Sequence, residues 1–128
     1  MGERRRVCHD SGVMTVLVVD DHPSFRAGAS ALLRAEGYDV VGEAEDGESA
    51  IRAAVDLQPQ LVLLDVQLPD LDGFEVAERL RALDPAPLVV LTSSRDGRDF
   101  GSLVAASGAS GFVPKAELSG AALAALLG

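Results

Sequence analysis

Short apolar runs recur along the chain, separated by stretches in which apolar residues return at helical spacing. Thr15-Val-Leu-Val-Val19 is a β-branched run that ends in Asp20-Asp21. Pro23 then stands where a helix favours its first residue, and Phe25, Ala29, Leu32 and Leu33 mark one helical face up to Gly37. Asp39 to Glu43 predicts a second, shorter strand. Asp46-Gly47 turns into a helix with Ala50, Ile51, Ala54 and Val55 inward, which stops before Pro59. Leu61-Val-Leu-Leu64 is unbroken apolar sequence, the mark of a strand buried on both faces, and it ends in Asp65. Pro69 to Gly73 form a loop, and Phe74, Ala77, Leu80 and Leu83 share a face of the next helix. Leu88-Val-Val-Leu91 is followed by Thr92-Ser-Ser94. Leu103, Val104 and Ala106 to Ser107 suggest a fourth helix, Gly111-Phe-Val113 a fifth strand before Pro114-Lys115, and Leu118 to Leu127 a closing helix.

This (βα)5 alternation with continuous apolar strands implies an α/β fold, a doubly wound parallel sheet covered by helices on both faces. Right-handed crossovers leave few ways to wind five such units. In open sheets of this kind, sites form beyond the carboxyl ends of the strands. The polar residues fall there: Asp20 and Asp21 after strand 1, Asp65 after strand 3, Thr92 after strand 4 and Lys115 after strand 5.

Composition narrows the function. The 128 residues are 48% hydrophobic, with no tryptophan, four phenylalanines and one tyrosine, so Val, Leu and Ala must fill the core. A formal charge of −9 speaks against direct nucleic-acid binding and against an anionic membrane surface, because phosphates are repelled. One cysteine, Cys8, cannot form an internal disulfide, which fits a cytoplasmic protein. Residues 1–13 carry Arg4, Arg5 and Arg6 without an apolar core, so they read as a disordered N-terminal extension rather than a secretory signal. Met14 is an alternative start, and residues 14–128 make one domain, with no output domain expected in the chain.

Three carboxylates from two strand ends repel one another in a shared cleft unless a cation joins them. Hard oxygen ligands suit Mg²⁺, which binds through one or two carboxylates plus a phosphate. Asp65 is then a plausible nucleophile, since carboxylates form aspartyl-phosphates. Lys115 and Thr92 would stabilise the charge of a transferring phosphoryl group. Each residue alone has a plainer reading: Asp-Asp as a helix cap, Asp65 as a turn residue, Lys115 as a surface lysine, His22 as a helix-start residue, Phe112 as a core aromatic. Pro69 and Gly73 shape the loop, Gly73 by its flexible backbone. Their order on successive strand ends is what favours the shared site.

Val18-Val-Asp-Asp-His-Pro23, Leu64-Asp-Val-Gln-Leu-Pro-Asp-Leu-Asp-Gly73, Val90-Leu-Thr92 and Gly108-Ala-Ser-Gly-Phe-Val-Pro-Lys115 resemble, in order, the four signature stretches of response-regulator receiver domains. The resemblance spans residues 15 to 127. Asp20 to Pro23 with Phe25-Arg-Ala-Gly28 is most similar to the subfamily usually joined to a helix-turn-helix output domain. The resemblance implies a flavodoxin-like sheet in the strand order 2-1-3-4-5. It also implies transfer of a phosphoryl group from a sensor histidine kinase, or a phosphotransfer protein, to Asp65. Mg²⁺ would be held by Asp21, Asp65 and the main-chain carbonyl of Gln67, with Asp20 acting through metal-bound water. Thr92 and Lys115 would be the switch pair, and Phe112 the aromatic that changes rotamer. The output would be a protein contact through the face of strand 4, helix 4 and strand 5, with homodimerisation on phosphorylation a further expectation. Such a module is not an enzyme beyond catalysing its own phosphorylation and dephosphorylation.

Two features depart from the family pattern. Ala116 follows the lysine where a proline is common, and Pro114 precedes it. The stretch from Thr92 to Gly108 is one residue longer than is typical, so Ser93 stands beside Thr92 as the alternative switch hydroxyl. Other classes fit less well. A phosphatase of the aspartyl-phosphate type wants a second Asp two residues after its nucleophile, where this chain has Gln67. A nucleotide or flavin domain needs a glycine- or hydroxyl-rich first loop, and Asp20-Asp-His-Pro23 is acidic. A phosphorylation-independent pseudo-receiver is the third alternative.

Overall fold

The computed structural model describes residues 13–94 and 101–127, the side chains of 101 and 102 excepted. Of the extension, only Val13 falls among them. Ten elements alternate: β1 (Thr15–Val19), α1 (Pro23–Ala35), β2 (Asp39–Ala44), α2 (Gly47–Leu57), β3 (Leu61–Asp65), α3 (Gly73–Arg81), β4 (Leu88–Ser93), α4 (Gly101–Ser107), β5 (Gly111–Pro114) and α5 (Gly120–Leu127). The sheet is parallel, in the order β2-β1-β3-β4-β5.

Because side chains alternate across a strand, the sheet carries two separate cores. Val16 and Val18 of β1, Leu61 and Leu63 of β3, Val90 of β4 and Val113 of β5 pack with Ala29 and Leu33 of α1 and Leu123 of α5. Leu17, Val19, Val62, Leu64, Val89 and Leu91 face the other way, onto Ala50 and Ala54 of α2 and Val76, Ala77 and Leu80 of α3. β3 is buried at every position, as its unbroken apolar run requires. β2 lies at the edge and alternates, with Asp39 and Glu43 exposed.

Local signals set the helix ends. Pro23 opens α1, and Gly37, at φ +97°, takes the left-handed turn that follows it. Asp46 and Ser49 form a reciprocal capping box on α2.

Several expectations are corrected. Val55 points outward and is 53% exposed; the inward stripe of α2 is Ala50, Ala54 and, in part, Ile51. β4 does not stop at Leu91 but continues through Thr92 and Ser93, which pair with Val113 and Pro114. The last helix begins at Gly120 rather than Leu118. Lys115–Glu117 form a short 3-10 turn first, and the Ser119 hydroxyl accepts from the Ala122 N–H at 3.0 Å to start α5.

Candidate functional site

The register of the strands builds the site. Asp65 pairs with Thr92, and Thr92 with Val113, so Asp65 and Thr92 project to the same side of the sheet. Asp20 follows Val16 and Val18 in the same alternation. Ser93 projects to the opposite side, with Val89 and Leu91. The structure therefore brings Thr92 beside Asp65 and carries Ser93 away from it. Phe112 pairs with Leu91 and packs, like Val104, against the α2–α3 core. By the strand alternation its side chain starts from the face of the sheet opposite that of Thr92.

Asp20 and Asp65 are buried, at 0% and 3% exposure. The Lys115 ammonium reaches both, 2.7 Å from Asp20 Oδ2 and 3.2 Å from Asp65 Oδ2. It also sits 4.6 Å from the centre of the Phe25 ring, a cation–π contact. Pro114 closes β5 and Lys115 opens the 3-10 turn, and this geometry delivers the ammonium without a proline after the lysine. Asp65 Oδ1 accepts from the Gln67 N–H at 3.0 Å.

The charges perturb one another. Burial pushes the Asp65 carboxyl above its ordinary 3.8; the Gln67 N–H opposes this, Asp20 adds to it, and Lys115 opposes it again. Burial pulls the Lys115 ammonium down, but the hydrogen bond to Asp20 and the charges of Asp65 and Asp20 outweigh it, leaving it above 10.5.

One ammonium does not balance three carboxylates. One ligand atom from each of Asp20, Asp21, His22 and Asp65 lies within 4.8 Å of every other. Asp20 Oδ2 and Asp21 Oδ1 are buried, and their polar neighbours among the described residues are Lys115 Nζ at 2.7 Å for the first and His22 Nδ1 at 3.2 Å for the second. Three carboxylates sharing one ammonium leave buried negative charge uncompensated, which is costly, and their oxygens fit a hard divalent cation.

Side chains that the motif reading passed over hold the site in place. Arg26 donates to the Asp20 carbonyl oxygen at 2.6 Å and pairs with Glu43 at 3.1 Å, while Glu43 also accepts from Ser30 at 3.0 Å. Asp70 accepts from the N–H groups of Gly47 and Glu48 at 2.7 and 3.0 Å, and from that of Leu71 at 2.8 Å. It thereby ties the β3–α3 loop to the first turn of α2, and these N–H groups, led by that of Gly47, hold its carboxyl below 3.8. His22 is the N-cap of α1, as expected of a helix-start residue, but its side chain does not cap the helix. Its Nδ1 lies 3.1 Å from Asp20 Oδ1 and 3.2 Å from Asp21 Oδ1.

Gly73 serves close approach, not flexibility. A Cβ there would run into the Asp65 carbonyl oxygen and come within 2.5 Å of the Val66 Cα. Backbone cannot yield as a side-chain tip can, so Gly73→Ala is expected to cost about 1–3 kcal/mol, read as a lower midpoint in urea with an unchanged slope.

The family model for the response regulator receiver domain matches residues 16–126. The chain is 41% identical over 103 residues to the virulence factors putative positive transcription regulator BvgA of Bordetella pertussis, covering 80% of this chain and 49% of that protein. It is 39% identical over 102 residues to a putative transcriptional regulator of Pseudomonas aeruginosa, with the same coverage of 80% and 49%. It thus spans about half the length of these curated relatives. The signal receiver domain of the putative response regulator NarL from Mycobacterium tuberculosis has 35% sequence identity and a TM-score of 0.79, covering 91% of this chain and 98% of that one. With the strand order, the acidic cluster and the lysine already in position, these matches establish that the chain belongs to the response regulator receiver domain family.

Proposed function

We propose that this chain is the phosphoacceptor module of a two-component phosphorelay, charged on Asp65 by a sensor histidine kinase or a phosphotransfer protein. The observation that carries this reading is the convergence of buried Asp65 with Asp20, Asp21 and Lys115 at one edge of the sheet. An Asp65 carboxylate oxygen forms a bond to phosphorus as the phosphorus–nitrogen bond of the donor phosphohistidine breaks, its electron pair returning to the imidazole. Lys115 already stands where negative charge on the transferred group would gather, and Thr92 is the hydroxyl on the same side of the sheet. Mg²⁺ would be held by Asp20, Asp21, Asp65 and the Gln67 carbonyl, and it supplies charge compensation for the phosphoryl oxygens. The chain then acts on no substrate other than its own Asp65. Its output is a contact with a downstream protein through β4, α4 and β5, or with a second copy, rather than with nucleic acid. No helix among the described residues is long and apolar enough to cross a membrane, in keeping with work in the cytoplasm.

The test is incubation with a small-molecule phosphodonor and Mg²⁺, followed by intact mass. One acid-labile phosphoryl group on Asp65 supports the reading, and none, with Mg²⁺ present, overturns it. In the same assay, Thr92→Ala is expected to remain phosphorylatable but to lose most of the hydrogen-exchange response of residues 101–113, whereas Ser93→Ala keeps it. A response unchanged in Thr92→Ala would remove Thr92 as the coupling residue. The switch needs about 5.5 kcal/mol to move a 1:99 ratio to 99:1, and one hydroxyl contact with one ammonium contact, at roughly 1–3 kcal/mol each, supplies part or most of it. A bound partner would add the remainder.

A further inference from the structure

His22 is set at the cation site in a way its role at the helix start does not explain. Its main-chain N–H donates to Asp20 Oδ1 at 2.8 Å, which already fixes the turn. The imidazole makes no helix-capping bond and is 66% exposed, yet Nδ1 stands 3.1 and 3.2 Å from oxygens of both Asp20 and Asp21. In a metal shell with bonds of about 2.1 Å, neighbouring ligand atoms lie roughly 3.0–3.4 Å apart. Nδ1 is therefore at shell-edge distance from two carboxylates that a divalent cation would bind. Of the two buried oxygens, Asp20 Oδ2 is held by the Lys115 ammonium at 2.7 Å, while Asp21 Oδ1 has His22 Nδ1 beside it at 3.2 Å. A cation bound by the Asp20 and Asp21 carboxylates would therefore have Nδ1 within reach.

We propose that His22 contributes a nitrogen ligand to the divalent site, making it a mixed oxygen–nitrogen site that takes first-row transition ions such as Zn²⁺ and Cu²⁺ far more tightly than Mg²⁺. Imidazole suits these ions, whereas Mg²⁺ is served by oxygen alone. Binding requires the tautomer in which Nδ1 is unprotonated, with Nε2–H turned to solvent, and the exposed ring is free to adopt it. A transition ion held by Nδ1 and the two carboxylates competes with Mg²⁺ for the same oxygens. The proposal rests on the divalent site described above.

An oxygen-only acidic site also prefers Zn²⁺ to Mg²⁺, so the measurement that decides is the change in that preference when His22 is removed. Cys8 and His9 are further soft ligands in the chain, so all proteins carry Cys8→Ser and His9→Gln. Calorimetric titrations with ZnCl₂ and with MgCl₂ are compared between this background and His22→Asn, chosen because Asn suits a helix N-cap. The Zn²⁺ affinity is expected to fall at least about tenfold while the Mg²⁺ affinity stays within about twofold. Copper EPR of the background protein is expected to show nitrogen superhyperfine splitting that His22→Asn abolishes. Equal affinities for Zn²⁺ in the two proteins, or a nitrogen signal that survives the substitution, overturns the inference. If Mg²⁺ binding and phosphorylation persist in that case, only the His22 inference fails; if the background protein binds no divalent ion, the reading of the site fails with it.

Discussion

Replacing Lys115 by methionine is expected to destabilise the Mg²⁺-free domain by about 3 kcal/mol, the low end for breaking a buried ion pair because the lysine keeps 14% of its side chain exposed. Methionine keeps most of the stem and deletes the charge, so the loss reports the ammonium rather than packing. What remains is Asp20, wholly buried, facing Asp65 with no cation between them. The pH dependence has a definite sign. The folded-state pKa of Lys115 is raised above its ordinary 10.5, so its contribution is fully present below that value and is lost as pH rises through the folded pKa. The gap in melting temperature between wild type and Lys115→Met should therefore hold through neutral pH and narrow in strong alkali, and also in acid as the partner carboxylates are protonated. Mg²⁺ should close part of the gap, because the variant, with three carboxylates and no ammonium, binds the ion more tightly than wild type. Each tenfold in Kd is worth about 1.4 kcal/mol at saturating ion. Equal melting temperatures without Mg²⁺ would mean that the ion contacts at 2.7 and 3.2 Å add nothing to stability.

Much of this site was legible because it depends on strand ends. An apolar run that terminates in a carboxylate fixes both the strand and the position of the carboxylate, as Leu61 to Asp65 does. Two runs of that kind in a parallel sheet bring Asp20 and Asp65 to one edge whatever the loops do. The choice between Thr92 and Ser93 was not legible, because it turns on register between strands. One residue of slip sends a side chain to the other face, and the motif alone does not reveal where β4 stops pairing. Val55 failed for a related reason: an apolar residue beside Ala54 reads as core, but the alanine already fills the narrow gap between α2 and the sheet. Asp70 and Arg26 were missed because their partners are remote in sequence, at Gly47 and Glu48 for one and at Glu43 for the other. In sequence, each passes for an ordinary surface charge. Gly73 was seen, but the reason for it was not, since only the fold brings the Asp65 carbonyl against its Cα.

Asp65→Asn is expected to abolish acid-labile phosphorylation and, in the same protein, to raise stability at neutral pH. The first effect is chemical: a carboxamide of nearly the same shape lacks the anionic oxygen that attacks phosphorus. The second follows from the environment. Burial, helped by Asp20, holds the Asp65 pKa above 3.8 despite Gln67 and Lys115, so the ionised group opposes folding at neutral pH. The asparagine carbonyl can still accept from the Gln67 N–H that Asp65 takes at 3.0 Å, and Lys115 keeps Asp20, its nearer partner at 2.7 Å. Relief of an unfavourable buried charge at this scale is worth about 0.5–2 kcal/mol, or roughly 4 °C in melting temperature per kcal/mol for a domain of this size. The sign with pH is fixed as well. A carboxyl whose folded pKa is raised binds its proton more tightly in the folded state, so wild type should gain on Asp65→Asn as pH falls from neutral through that pKa. The gain should be complete below 3.8, where the unfolded chain is protonated too. Intact mass after phosphodonor treatment and melting curves across that pH range test the two halves separately. A phosphoryl group gained at the wild-type rate would remove Asp65 as the acceptor. A variant less stable than wild type at neutral pH would mean instead that Lys115 outweighs burial, and that the Asp65 charge helps to hold the sheet edge together.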